Sequence, residues 1–116
     1  MKKDLPLVAR EITAAILGER YEASITFVSP REMRRLNRLY RGKDEATDIL
    51  SFSLGKRFGE ILLCASEIRK EAKHFGRSPA NFLLFLLIHG LLHLKGLRHG
   101  SKMERTERIL RKKFGV

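Results

Sequence analysis

Leu5, Val8, Ala9, Ile12, Ala15 and Ile16 recur at the spacing of one helix face, with Pro6 near the start and Gly18 past the end. The period then shortens to two. In ASITFV (23–28), Ala23, Ile25 and Phe27 alternate with Ser24, Thr26 and Val28, which predicts a strand. SPRE (29–32) has the form of a capping box, with Ser29 as the cap, Pro30 at the first helical position and Glu32 reaching back. The helix it opens is expected to bury Met33, Leu36 and Tyr40, leaving Arg34, Arg35, Arg38 and Arg41 toward its flank and solvent.

The polar run RGKDEATD (41–48) reads as a loop. ILSFS (49–53) and GEILLC (59–64) are short β-like runs, and the glycine-containing turn between them predicts an antiparallel hairpin. A charged helix over about residues 66–75 stops at Gly76. Ser78-Pro79 starts another, apolar on every side over 82–88, which is the pattern of a helix covered all round. Gly96 ends it, and residues 102–114 form a last, basic helix. The expected class is α/β or α+β: a small mixed sheet packed against helices, with a buried central helix that carries two histidines.

Length and composition narrow this picture. With 116 residues, the chain is expected to form a single domain over 1–116. Apolar residues at 43% argue against disorder. Cys64, the only cysteine, ends an apolar strand as a small buried hydrophobe and cannot form an internal disulfide, which fits a reducing cytoplasm. Met1-Lys2-Lys3-Asp4 does not lead into the apolar run of a secretory signal. The most apolar stretch, residues 82–94, is 13 residues long, short of the roughly 20 a membrane span needs.

The net charge is +11, with 12 basic and 8 acidic groups in residues 1–58 and 12 and 5 in residues 59–116. A field of that sign over both halves favours a polyanion, and nucleic acid is the commonest one in the cytosol. The basic stripe Lys102, Arg105, Arg108 and Lys112 suits either RNA backbone or plain solvation.

HGLLHLKGLRH (89–99) holds three of the four histidines. On a helix, His89 and His93 project from one face a turn apart, and a reversal at Gly96 lets His99 return as a third ligand. Three packing histidines would need partners for all their ring nitrogens in a segment with few polar groups, whereas a metal ion satisfies one nitrogen of each. Three imidazoles without a thiolate suit zinc, with nickel or another divalent ion as the alternative, and they leave a position for water. Acidified water makes hydrolysis the reaction class. Zinc peptidases place glutamate directly after the first histidine, where this chain has Gly90, so a phosphodiester fits the basic surface better than a peptide. His74, in the last turn of a charged helix, suits the helix dipole and is not counted as a ligand.

These motifs resemble the bacterial YbeY endoribonucleases, or rRNA maturation factors. The family's HGxLHLxGYDH appears as HGLLHLKGLRH. Its N-x-x-Y-R and T-D-x-L-S-F appear as Asn37 to Arg41 and Thr47 to Phe52, and Gly59-Glu60-Ile61 stands at its G-D-I strand. The resemblance implies a zinc-dependent endoribonuclease preferring single strands. It further implies work on ribosomal RNA and the small ribosomal subunit, notably at the 3′ end of 16S rRNA, and a part in ribosome quality control. It assigns His89, His93 and His99 to the metal and Arg41 to the RNA, with Arg41 and His93 as the catalytic residues. Leu97-Arg98 replaces the family's Tyr-Asp, which leaves Asp48 and Glu60 as candidate carboxylates and keeps a second reading, a non-catalytic metal-stabilised ribosome- or RNA-binding factor. The strand that usually precedes the first helix is not expected here, giving about three strands.

Overall fold

The computed structural model describes residues 5–116; residues 1–4, where no secretory signal was read, lie outside the described residues. The elements are α1 (Leu5–Leu17), β1 (Glu22–Phe27), α2 (Pro30–Arg41), β2 (Ile49–Ser53), β3 (Phe58–Leu63), α3 (Ala65–His74), α4 (Pro79–Lys95) and α5 (Ser101–Phe114). Their order is the one the hydrophobic pattern predicts.

The three strands form one mixed sheet in the order β1-β3-β2. β2 and β3 make the expected antiparallel hairpin, with Ser51 opposite Ile61. β1 runs parallel to β3, Ile25 opposite Ile61. A parallel neighbour cannot be reached by a tight turn, so the chain crosses over through α2 before the hairpin begins.

Alternation along β3 divides the core between the two faces of the sheet. Ile61 and Leu63 join Ile12, Leu87, Ile88 and Leu91 in the larger cluster, with α1 and α4. Leu62 packs on the other face with Met33 of α2, Leu50 and Cys64. Cys64 is fully buried, as its place at the end of an apolar strand suggests. Phe82, Leu86, Leu87, Ile88, Leu91 and Leu92 of α4 are all buried, which explains that helix's lack of a polar stripe. No single helix among the described residues is long and apolar enough to cross a membrane.

Local chemistry sets the helix starts. Ser29 Oγ accepts from the Glu32 amide at 3.1 Å, and Ser78 Oγ accepts from the Asn81 amide at 3.1 Å; each cap is followed by proline. The second half of the capping box differs from expectation. Glu32 turns its carboxylate to Arg35, at 2.8 and 2.9 Å, because a charged fork is a stronger donor than a backbone amide.

Tyr40 also departs from the predicted buried stripe. The fully covered positions of α2 are Met33 and Asn37, while Tyr40 is 62% exposed. Asn37 Nδ2 donates to the Glu45 carbonyl at 2.8 Å, which spends a core position on holding the loop before β2. Arg34 reinforces that loop with a two-pronged pair to Asp44, at 2.9 and 3.1 Å. Tyr40 comes one turn later and meets the edge strand, where its ring packs edge-on against Phe52 with centroids 5.1 Å apart.

Candidate metal centre

His89 and His93 lie on the last two turns of α4, and both are half-buried. Gly96 then takes φ 104°, a left-handed conformation that ends the helix and that a side chain would resist. The reversal returns His99 to the same place. Ring centroids are 4.5 Å apart for His89–His93, 4.8 Å for His93–His99 and 5.2 Å for His89–His99. One ring nitrogen of each lies within 4.8 Å of the others, so the trio could hold a metal ion.

The outer nitrogens support that fit. His89 Nδ1 lies 3.1 Å from Glu107 Oε2, and His93 Nδ1 lies 3.0 Å from the Leu97 carbonyl. Both partners are acceptors, so each Nδ1 carries the proton and each neutral ring keeps its lone pair on Nε2. Those two Nε2 atoms are 3.0 Å apart. Two lone pairs at that distance repel unless a proton or a cation lies between them, and ligands at about 2.0–2.1 Å from a tetrahedral zinc sit at a comparable separation. Burial, then the neighbouring His89, holds the His93 pKa below its ordinary value despite the Leu97 carbonyl, which favours the neutral ring a metal needs.

Glu107 is a side chain in contact with the histidine trio that the sequence reading missed. Its side chain is only 11% exposed, and Arg111 approaches it at 3.9 Å. A signal was present. Met103, Glu107, Leu110 and Phe114 follow one face of α5, and Glu107 is the single acid in that stripe. Asp48 and Glu60, the carboxylates considered from sequence, do not line the histidine cavity.

That cavity, of about 410 Å³, opens across the edge of β2 and is lined by Tyr40, Arg41, Ser51, Phe52, Gly90 and the three histidines. The last turn of α2 and the last turns of α4 thus meet at one strand. Arg34, Arg35 and Arg38 each have a carboxylate within 4 Å, whereas Arg41 has none among the described residues. Arg98 is exposed between Gly96 and His99. His74 is exposed and pairs with Glu71 at 2.8 Å, apart from the trio. The stripe of Lys102, Arg105, Arg108 and Lys112 faces solvent.

Gly90 has a packing reason. A Cβ there would stand 2.8 Å from Ser51 Oγ and 2.9 Å from Ile49 Cδ1. The position that carries glutamate in zinc peptidases is here pressed against β2.

Fold and site together define an α+β protein whose central helix presents two histidines of a three-histidine group suited to a metal ion. A family model described as Endoribonuclease YbeY matches residues 3–114. The chain belongs to the YbeY endoribonuclease family. It is 36% identical over 105 residues to the Endoribonuclease YbeY of Staphylococcus carnosus, covering 80% of this chain and 69% of that one. It is 36% identical over 107 residues to that of Halalkalibacterium halodurans, covering 78% and 67%. The chain thus spans about two thirds of the length of these relatives. The solution structure of TM1509 from Thermotoga maritima is similar with a TM-score of 0.67 and 28% identity, covering 95% of this chain and 78% of that one.

Proposed function

We propose that this chain is a metal-dependent endoribonuclease acting, as one domain, on unpaired RNA. The observation that carries this reading is the convergence in one cavity of three imidazoles able to hold a cation and an arginine, Arg41, with no carboxylate partner among the described residues. The relatives' name, Endoribonuclease YbeY, supports RNA as the substrate class.

His89, His93 and His99 would hold the ion, and three neutral imidazoles favour zinc, with nickel or another divalent ion as alternatives. When bound, such an ion supplies Lewis acidity and lowers the pKa of water toward about 7. The chain's own groups do the rest. Glu107 and the Leu97 carbonyl keep the Nε2 atoms of His89 and His93 aimed inward. Arg41 presents a guanidinium fork that can donate two N–H groups to the oxygens of one phosphate and offset the charge that grows on them as the ester bond breaks. Arg41 and His93 are therefore the proposed catalytic residues.

On the family resemblance the proposal extends to zinc as the working ion, to ribosomal RNA and the small subunit as partners, and to the 3′ end of 16S rRNA as a cleavage region. Ribosome quality control and a cytoplasmic location belong to the same extension. The exposed bases on α5 suit the RNA backbone.

Cleavage of a short single-stranded RNA tests the proposal. Activity should vanish on chelation, return with zinc, and be absent in His93→Ala. Metal binding and RNA binding without cleavage would instead favour a non-catalytic ribosome-binding factor.

A further inference from the structure

Tyr40 departs from the predicted burial, and it lies beside the candidate centre. Its ring contacts Phe52 edge-on and is otherwise open. A single exposed ring is ordinary on a protein surface; what sets Tyr40 apart is its place between two cavities.

Two cavities meet at this ring. One is the histidine cavity. The other, of about 660 Å³, runs on the α2 face of the sheet and is lined by Thr26, Leu36, Tyr40, Phe52, Leu54 and Glu60, among others. Tyr40, Ser51 and Phe52 line both, so the groove continues from the histidines past the tyrosine.

Charge differs between the two ends. Arg41, which has no carboxylate within 4 Å among the described residues, opens on the histidine side. Glu60 lines the far side, together with Glu32, whose charge is already offset by Arg35. A phosphate is attracted to the first end and repelled from the second. A nucleobase carries no net charge and presents a π face, so it suits the far side and the exposed ring. Adjacent residues on one helix end would then hold adjacent parts of one nucleotide, the phosphate on Arg41 and the base on Tyr40.

Resting on the ribonuclease reading above, we infer that Tyr40, backed by Phe52, is a stacking subsite for one unpaired base of the RNA strand whose phosphate lies at Arg41. A base still paired in a duplex keeps both its faces stacked on its neighbours and cannot occupy this subsite. The substrate class is therefore an RNA segment with at least one unstacked base beside the bond to be cut.

Short single-stranded RNAs carrying 2-aminopurine at successive positions test this, with zinc-loaded protein and stopped-flow recording before cleavage. Wild type and Tyr40→Phe should quench the probe at one position. Tyr40→Leu should lose that quenching and bind roughly 5- to 150-fold more weakly, the range expected for one lost base stack. Its zinc content and melting temperature should match wild type, because the side chain is exposed. Equal affinity and undiminished quenching in Tyr40→Leu overturn the subsite while leaving the ribonuclease reading intact. Absence of RNA binding by the wild type overturns both.

Discussion

Replacing Glu107 with alanine should weaken metal binding without unfolding the protein. The carboxylate touches no candidate ligand atom directly; it receives the proton on His89 Nδ1 at 3.1 Å and so holds Nε2 inward. Removing such a partner from a metal-ligating histidine typically weakens metal affinity about 10- to 100-fold, equivalent to roughly 1.4–2.8 kcal/mol. The upper part of that range is expected, since the side chain is 11% exposed and little solvent competes for the interaction. Glu107→Gln keeps an acceptor oxygen but loses the charge, so its loss should fall near the lower end. The assay is zinc competition against a chromophoric chelator, with circular dichroism and thermal melts of the metal-free proteins alongside. Wild-type zinc affinity in a folded Glu107→Ala protein would refute the role given to this carboxylate.

Further outcomes follow from other parts of the structure. Arg41→Ala should reduce RNA affinity or turnover with zinc content unchanged, and the slope of log affinity against log salt should fall by about one phosphate contact; loss of the metal instead would contradict its placement. Gly90→Val places new atoms against Ser51, Ile49 and Ile61 and should destabilise the fold by about 1–3 kcal/mol, seen as a lower melting temperature. Asp48 has its pKa raised, first by burial and further by Glu71, against the opposing pull of backbone amides and Thr47. A raised folded-state pKa means the protonated form is favoured in the fold, so this stability is present below the unfolded carboxylate pKa and is lost as pH rises through the folded value. Asp48→Asn should therefore flatten the stability profile above about pH 4, the ordinary aspartate value, and a profile identical to wild type would exclude the effect.

Most of the elements and the trio of histidines were legible because they rest on short-range chemistry. Ser29-Pro30 and Ser78-Pro79 announce helix starts through bonds spanning three residues. His89 and His93 are brought together by helix geometry, and Gly96 supplies the reversal that adds His99. What pattern could not show depended on neighbours distant in sequence. Glu107 reaches His89 across 18 residues, and only the packing of α5 on α4 makes that contact. Tyr40 has the spacing of a buried residue, yet it ends beside an edge strand and stays exposed, and periodicity does not say which strand is the edge. Glu32 has the position of a capping-box acid, but Arg35 one turn along is the stronger partner.

The most direct measurement is anomalous diffraction at the zinc edge from crystals grown with zinc. A single peak about 2.0–2.1 Å from a ring nitrogen of His89, of His93 and of His99 is the expected result. An ordered site with no peak, or with the three rings turned away from one another, would contradict it.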